Sequence, residues 1–321
     1  KDTFTVKMTG GPDGDVAGNQ IYNFYKFYPK TAKIIALTDA SGTIFCKGGL
    51  NLKVLADLFH MGKPIANYPV ELLQENDFLL NKYKTRSKTS LIQQTLCQKN
   101  IDGEIVEEWL SGSEVNYLLR YNVHKAKTDI FIPAGGRPRT LNELNIQEFL
   151  DETGKPSSRG IIEGANLYLT QGARRFLEEL GVLIIKDSSA NKTGVICSSF
   201  EVICGLTLGD DLFLQEKQVL VKEILETLKE LALKEAKLLL KTHQEKDQFL
   251  TDISERISSR INQFTYQLLD YLDMVHLSDN PDDPLLSSFL NYCPETLKSK
   301  YKQKLLKEIP EHHKKAIIAC H

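Results

Sequence analysis

The sequence has no long uninterrupted apolar run, because charged residues break every apolar stretch well short of the roughly 18 residues that a membrane-spanning helix needs. It also lacks an excess of either charge: 40 basic residues stand against 42 acidic ones, for a net charge of −2. Such a balance gives no general attraction toward nucleic acid or anionic lipid. We therefore expect neither a membrane nor a nucleic acid as a partner.

Cysteine is sparse and follows no metal or redox motif. The six cysteines contain no CxxC pair and no dense framework, as is typical of reduced thiols in a cytoplasmic protein. Histidine offers one adjacent pair, His312 and His313, in a basic helical stretch without a partnering acid or cysteine at ligand spacing. A solvent-exposed helix face explains this pair better than a metal site, so we predict no bound metal.

The two ends of the sequence predict a piece of a larger protein. The chain begins with Lys1 on an already strand-like segment, without a charged and then apolar targeting segment. It ends inside an amphipathic helical pattern that has no Gly or Pro stop signal.

What the sequence does have is an alternation of strand and helix patterns. Five short, nearly all-apolar runs are predicted strands: 3–9, 32–38, 128–133, 159–164 and 181–186. Helix-compatible segments separate them, including one that opens with Thr140 and Glu143 in capping-box spacing and one from Thr170 to a stop at Gly181. This alternation predicts an α/β fold with a Rossmann-like, doubly wound, mostly parallel sheet.

Two segments depart from the alternation. Residues 60–120 are polar and too long for a bare loop, so we predict an insertion with its own helices. From Asp211 onward, leucines at helical spacing and the absence of Gly and Pro predict a long helix over 211–246, followed by further helices. Its apolar stripe fits either a short coiled coil or packing on a neighbouring domain. The predicted domains are residues 1–210 and a C-terminal helical region, 211–321.

The stretch "GGPDGDVAGN" lies between the first predicted strand and a helical pattern. Gly11, Gly14 and Gly18 stand where a dinucleotide-binding turn lets backbone amides approach a pyrophosphate. The spacing departs from GxGxxG, because Pro12 and Ala17 occupy two of the fingerprint places. A plain turn stays open as an alternative, whereas the ligand spacing of a calcium loop is absent.

Asp39 ends the second predicted strand. It follows Gly14 by slightly more than the roughly 20 positions at which a dinucleotide-binding fold places its ribose-binding acid. A carboxylate there accepts hydrogen bonds from the 2′ and 3′ hydroxyls and repels a 2′-phosphate, which favours NAD over NADP. The alternative is that Asp39 only begins the "DASG" turn.

Two later motifs are more specific. Residues 163–166 read EGAN at a strand end, and residues 186–201 read KDSSANKTGVICSSFE. At these residues the sequence resembles the amino-acid dehydrogenase superfamily, specifically the glutamate dehydrogenases, whose nucleotide domain carries EGAN and then PDxxANxGGVxxSxxE. Lys186, Lys192 and Thr193 depart from the second motif, and Thr193 replaces a glycine near the nicotinamide.

Other stretches resemble the large NAD-specific glutamate dehydrogenases. These are "TGGPDGDVAGN", "IPAGGRPRTLNE", "NYCPETL" and "AIIACH", so the resemblance covers essentially the whole chain. Within the second stretch, Arg137 and Arg139 fit phosphate partners, but arginines that hold their own loop are the favoured interpretation.

The resemblance implies a set of cofactor residues: Gly11, Gly14, Asp15 and Val16 at the pyrophosphate turn, Asp39 at the adenosine ribose, Ala134 and Gly135 beside the dinucleotide, and Asn166 and Asn191 at the nicotinamide end. It also implies two residues at the wall of the substrate site: Val195 and Ser198.

The activity that the resemblance implies is oxidative deamination of L-glutamate to 2-oxoglutarate and ammonia, by hydride transfer to NAD. In this family the catalytic lysine lies in a substrate domain that precedes the nucleotide domain, and no such domain is found here. We therefore assign no catalytic residue and expect the chain alone to be inactive. The resemblance further implies a homo-oligomer in the full-length enzyme. Two alternatives stay open: a non-catalytic nucleotide-sensing or assembly module built on the long helices, and a dehydrogenase of another amino acid.

Overall fold

The computed structural model describes residues 2–89, 92–278, 280 and 283–321. The chain divides into two compact units between Ala190 and Asn191. The division falls before the sequence-based domain boundary at residue 210, which stays a prediction.

The first unit is built on one sheet, which has nine strands in the described residues. In chain order the strands are β1 (Phe4–Thr9), β2 (Ala32–Asp39), β3 (Gly42–Phe45), β4 (Phe78–Thr89), β5 (Ile92–Ile101), β6 (Glu104–Leu110), β7 (Thr128–Pro133), β8 (Ser158–Ile162) and β9 (Leu183–Ile185). Their order across the sheet is β6-β5-β4-β3-β2-β1-β7-β8-β9.

The five strands predicted from apolar runs are β1, β2, β7, β8 and β9, and they are the ones that pair in parallel. The helices α1 (Asp15–Phe27), α2 (Leu52–His60) and α4 (Gln171–Glu179) pack on them. The helix α3 (Gly112–Arg120) packs instead on β4 and β5, and the single turn α5 (Asp187–Ala190) follows β9. Val6 and Met8 of β1 pack with Ile21 of α1 in the largest core cluster of this unit. The predicted α/β class and its Rossmann-like sheet are confirmed.

The start and stop of α4 follow from sequence signals. The Thr170 side chain accepts a hydrogen bond from the backbone N–H of Ala173, as an N-cap does. Gly181 follows the helix with a φ of 85°, a left-handed conformation that glycine adopts without a steric penalty. The helix predicted between Thr170 and Gly181 is therefore confirmed.

The helices predicted for the insertion are only part of its structure, because its three strands were not predicted. Residues 60–120 hold β4, β5 and β6, which extend the sheet in antiparallel fashion, and α3 is the one α-helix that lies wholly within the described part of that interval. Phe78, Leu80 and Cys97 pack together on one face, while Leu79 of β4 is buried on the other face in the larger core cluster. In β4, residues 78–81 are buried and residues 82–87 are exposed, so burial changes along the strand and leaves no period-two pattern to recognise.

The helix predicted from the capping-box spacing of Thr140 and Glu143 was also wrong. The structure has only a short 3-10 turn there, Ile146–Phe149. The Asn145 side chain accepts a hydrogen bond from the backbone N–H of Asn142, 2.9 Å away, and the Asn142 side chain accepts one from Leu144. Such local side-chain bonds satisfy the backbone in a non-helical conformation and so compete with helix formation.

The second unit is helical: α6 (Lys192–Lys246), α7 (Leu250–Asp273), α8 (Pro284–Tyr292), α9 (Glu295–Lys300), α10 (Lys302–Glu308) and α11 (Glu311–Cys320). Gly209, with φ 67° and ψ 177°, breaks α6 into two arms, and the second arm confirms the long helix predicted over 211–246. Its apolar stripe, including Leu220 and Ile224, packs in a core cluster with Phe289 of its own unit. Among the described residues, no helix has the length and apolar character needed to cross a membrane.

Candidate functional site

The candidate site lies at the carboxyl ends of the parallel strands. β1 pairs with β2 on one side and with β7 on the other, so the chain order reverses at β1. Open α/β sheets bind ligands outside the carboxyl ends of their strands at such a switch point. The loops that follow β1, β2 and β7 meet there.

Close backbone packing holds the loop after β1 at two glycines: Gly18, which the sequence already placed in the dinucleotide-binding turn, and Gly10, which it did not single out. Gly10 has a φ of 91°, and a Cβ atom on it would lie 2.9 Å from the Ala17 Cβ and 3.0 Å from the Gly135 nitrogen. A Cβ on Gly18 would lie 2.3 Å from the Pro12 carbonyl oxygen. This packing fixes the turn against α1 and against the loop after β7. In the sequence, the adjacent small residues "GG" and "AG" were the features that could have predicted it.

The start of α1 faces the same edge. Gly14 is the residue before the helix, and a Cβ there would meet nothing nearer than 3.4 Å among the described residues. Asp15 and Val16 form the first turn, and Val16 is 47% exposed. A Cβ on Gly164 would lie 2.9 Å from the Val16 Cγ1 and 3.5 Å from the Ala134 Cα. The small residues Gly14, Ala134 and Gly164 therefore leave room at the carboxyl ends of β1, β7 and β8.

Asp39 lies directly beside the glycine loop. A Cβ on Gly11 would lie only 2.1 Å from the Asp39 Oδ2. The carboxylate accepts hydrogen bonds from the backbone N–H of Ser41 at 2.7 Å and of Ile65 at 2.8 Å. Burial raises the pKa of Asp39, hydrogen bonds from Ile65 and Ser41 oppose this rise, and the nearby Asp13 adds to it. Asp39 therefore stabilises the "DASG" turn between β2 and β3, as the alternative interpretation expected. It also lies beside the glycine loop, which is the position that a ribose-binding acid requires.

A cavity of about 560 Å³ opens between these loops. Asp39, Arg137 and Tyr168 are among its lining residues. The Arg139 backbone N–H donates to the Leu167 carbonyl at 2.7 Å and joins its loop to the loop after β8, and the role of its side chain stays a prediction. The cavity volume is within the range of small-molecule sites.

The structure gathers most of the predicted cofactor residues at this edge: Gly11, Gly14, Asp15, Val16, Asp39, Ala134 and Gly135. Asn166 lies in the loop that follows β8, on the same edge. That each of them contacts a cofactor stays a prediction.

A buried ion network supports the loop that carries Asn166. Arg174 of α4 donates to both carboxylate oxygens of Glu163, at 2.7 and 2.9 Å, and to Asp187 at 3.3 Å. Asp187 in turn accepts a hydrogen bond from the backbone N–H of Leu167, 2.8 Å away, where φ is 55°. Burial raises the pKa of Glu163, and Arg174 opposes that rise. The sequence reasoning missed Arg174, since an arginine in an amphipathic helix ordinarily faces solvent.

The remaining predicted residues lie in the second unit. Asn191 precedes α6, and its carbonyl accepts a hydrogen bond from the Gly194 N–H at 3.1 Å. Val195 is 77% exposed, and the Ser198 hydroxyl donates to the Gly194 carbonyl at 3.3 Å. Asn191, Val195 and Ser198 therefore share the first turns of one helix, and their roles toward nicotinamide and substrate stay predictions.

One wall of the cavity comes from a π-helical turn, Tyr121–Lys125, directly after α3. His124 of this turn is 5% exposed, and its Nδ1 has no hydrogen-bond partner within the described part of the chain. Burial, together with the positive charges of Lys7, Arg120 and Lys125, lowers the pKa of His124 to about 4. The imidazole is therefore neutral at physiological pH.

The lowered pKa of His124 predicts that acid destabilises the first unit. The unfolded chain takes up a proton at this histidine near pH 6.5, whereas the folded chain takes it up only near pH 4. The stability that the neutral imidazole contributes is therefore present above about pH 6.5 and is lost as the pH falls toward 4. Between pH 7 and pH 4.5 we expect a loss of about 2–3 kcal/mol.

Urea unfolding followed by the fluorescence of Trp109, the only tryptophan and a residue of β6, measures this loss. The matched variant is His124→Gln, which cannot titrate in this range. The difference between the two proteins isolates the histidine from all other titrating groups. An equal loss of stability in both would contradict the prediction.

A parallel sheet with a glycine turn, an acid after the next strand and a cavity at the switch point defines the class of Rossmann-type α/β proteins. The family model for Glutamate/Leucine/Phenylalanine/Valine dehydrogenase matches residues 3–252. The chain belongs to this family, which confirms the resemblance seen in its motifs.

Two relatives identified by sequence agree with this membership. The probable NAD-specific glutamate dehydrogenase of Schizosaccharomyces pombe is 30% identical over 330 residues, which cover 99% of this chain and 27% of that protein. The NAD-specific glutamate dehydrogenase of Saccharomyces cerevisiae is 32% identical over 277 residues, 82% of this chain and 24% of that protein. The crystal structure of Plasmodium falciparum glutamate dehydrogenase aligns at a TM-score of 0.46 and 14% identity, over 81% of this chain and 46% of that one. The chain spans about a quarter of the length of the curated relatives that it matches.

Proposed function

We propose that this chain is the nucleotide-binding part of an NAD-dependent glutamate dehydrogenase, which deaminates L-glutamate oxidatively to 2-oxoglutarate and ammonia. The observation that carries the proposal is the contact of the glycine loop with Asp39 at the switch point. The names of the relatives support the choice of NAD and glutamate.

The residues of the site fit a dinucleotide. A Cβ on Gly11 would collide with the Asp39 carboxylate, so glycine at this position lets the loop lie against the proposed ribose-binding acid. Gly14 and the first turn of α1 direct backbone N–H groups and the positive helix end toward the pyrophosphate. Asp39 accepts hydrogen bonds from the adenosine ribose. Ala134 and Gly135 leave room beside the cofactor.

NAD held by Gly11, Gly14 and Asp39 would supply the hydride acceptor for oxidation of the glutamate α-carbon. The residues of this chain position the cofactor and, through Val195 and Ser198, contact the substrate. We assign the proton-transferring lysine to a substrate domain outside this chain, and we propose that the isolated chain does not turn over glutamate. The full-length enzyme is proposed to be a homo-oligomer.

The charge of Asp39 is expected to set the cofactor preference. Asp39→Asn keeps one oxygen to accept the Ser41 N–H but loses the negative charge. In the full-length protein that contains this chain, we expect the KM for NAD to rise by about tenfold and kcat to change little. The preference for NAD over NADP should fall by about tenfold or more, because repulsion of the 2′-phosphate is lost.

The measurement is glutamate-dependent formation of NADH and NADPH by the full-length protein. Asp57→Asn, which removes an exposed carboxylate from α2, serves as the matched control. An unchanged cofactor preference in Asp39→Asn would contradict the assigned role. If leucine, phenylalanine or valine replaced glutamate as the active substrate, the sibling dehydrogenase would be the correct function. Absence of turnover with any amino acid would favour the nucleotide-sensing or assembly module.

A further inference from the structure

The segment just after the insertion builds one wall of the cavity. Leu119 is half-buried at the end of α3, Val123 is buried in the π-helical turn, and both line the cavity with His124. Asp39 and Ala40, at the end of β2, line the same cavity. The cavity therefore extends from Asp39, the proposed ribose-binding acid, to an apolar wall that contains the imidazole of His124.

The π-helical turn is held in place from several sides. The Asn122 side chain donates to the Ile44 carbonyl at 2.6 Å, and the Lys7 ammonium donates to the Ala126 carbonyl at 3.0 Å. The Ala126 N–H closes the turn on the Tyr121 carbonyl. π-Helical turns are rare overall, but many of those that occur lie at functional sites. A π-helical turn held by this many contacts indicates that one of its side chains needs a fixed orientation.

His124 is the side chain that this turn places at the cavity. Its Nδ1 is enclosed, and none of the described residues bonds to it. An unpaired acceptor is tolerated better in a protein interior than an unpaired N–H, so the proton belongs on Nε2. A neutral imidazole with an N–H on Nε2 suits an uncharged partner that has acceptor nitrogens. The cations that line the cavity, including Lys82, Arg120 and Arg137, suit phosphate groups instead.

We propose that His124 recognises the adenine base of the dinucleotide, with its Nε2 donating to a purine ring nitrogen while Leu119 and Val123 pack against the base. The inference rests on the proposed function, because adenine is attached to the ribose assigned to Asp39. It names the residue that makes this site specific for a purine.

The test compares ligands that share or lack adenine. ADP-ribose keeps the adenine, both riboses and both phosphates and lacks only the nicotinamide, whereas reduced nicotinamide mononucleotide lacks the adenosine. We expect His124→Phe, which keeps an aromatic ring but no donor, to weaken ADP-ribose and NADH by about tenfold in calorimetric titrations of the chain. His124→Gln, which retains a donor, should stay within about threefold. Binding of reduced nicotinamide mononucleotide should not change in either variant.

The matched control is Tyr117→Phe, an exposed change on α3 that should leave all three affinities as in the wild type. Wild-type affinity of His124→Phe for ADP-ribose would overturn the inference. If the wild-type chain bound neither NADH nor ADP-ribose, the proposed function itself would fail, and the inference with it.

A second variant covers the case in which His124→Phe does not fold. Leu119→Trp enlarges a half-buried side chain at the cavity wall, where added bulk is directed into the space assigned to the base. We expect this variant to lower the affinity for ADP-ribose by more than about tenfold and to leave the affinity for reduced nicotinamide mononucleotide unchanged. ADP-ribose binding at the wild-type level would overturn the inference.

Discussion

Replacing Arg174 by methionine is expected to lower the free energy of unfolding of the first unit by about 3–5 kcal/mol. The guanidinium and its two carboxylate partners are all at most 9% exposed, so the variant leaves Glu163 and Asp187 buried together without a countercharge. Removing one member of a buried ion pair costs far more than the pair contributes, because the remaining charge must stay desolvated or take up a proton. Urea unfolding followed by Trp109 fluorescence measures the change.

Two comparisons make this result specific. Lys53→Met removes an exposed ion pair with Asp57 on α2 and should cost less than about 0.5 kcal/mol. Adding Glu163→Gln to Arg174→Met should recover part of the lost stability, since it removes one unpaired charge. A loss below about 1 kcal/mol in Arg174→Met would show that the network does not hold the loop of Asn166.

Gly11→Ala is expected to weaken NADH binding by at least about a hundredfold. The new Cβ would lie 2.1 Å from the Asp39 Oδ2 and 2.7 Å from the Asp13 Oδ1, distances that two non-bonded atoms do not reach. Asp39 cannot simply move aside, because Ser41 and Ile65 hold its two oxygens. The glycine loop and the proposed ribose acid must therefore separate, and the cleft between them changes shape.

The control for this variant is Gly112→Ala, because a Cβ on Gly112 would meet nothing within 4 Å among the described residues. NADH fluorescence on titration with each variant gives the affinities. Gly112→Ala should bind as the wild type does. If Gly11→Ala retained wild-type affinity, the cofactor would not lie against this loop.

The parallel part of the fold could be predicted from the sequence because its strands are short runs of mostly apolar residues. The strand β7, "TDIFIP", is mainly apolar and largely buried, and it needs no tertiary information to be recognised. The strand β4 is buried over residues 78–81, exposed over 82–87 and rich in lysine and threonine, so it lacks alternation and its pattern resembles a polar helical insertion. The prediction of a helix over 140–150 was wrong for another reason. Two asparagine side chains accept hydrogen bonds from nearby backbone N–H groups, which satisfies the backbone in a non-helical conformation.

Some residues of the candidate site could likewise be predicted from the sequence, and others could not. Gly11, Gly14 and Asp39 could be predicted because their spacing along the chain follows from the βα turn and the next strand. Arg174 and His124 could not, because their importance depends on burial, which brings together residues from distant parts of the chain. A sequence shows an arginine on a helix face but does not show that two buried carboxylates lie opposite it.

A calorimetric titration of the chain with NADH and, in parallel, NADPH shows whether this chain by itself forms a site for NAD. We expect micromolar binding of NADH, much weaker binding of NADPH, and a smaller difference between the two cofactors in Asp39→Asn. Binding of neither cofactor by the folded chain, or equal binding of both by the wild type and Asp39→Asn, would mean that the glycine loop and Asp39 do not form this site.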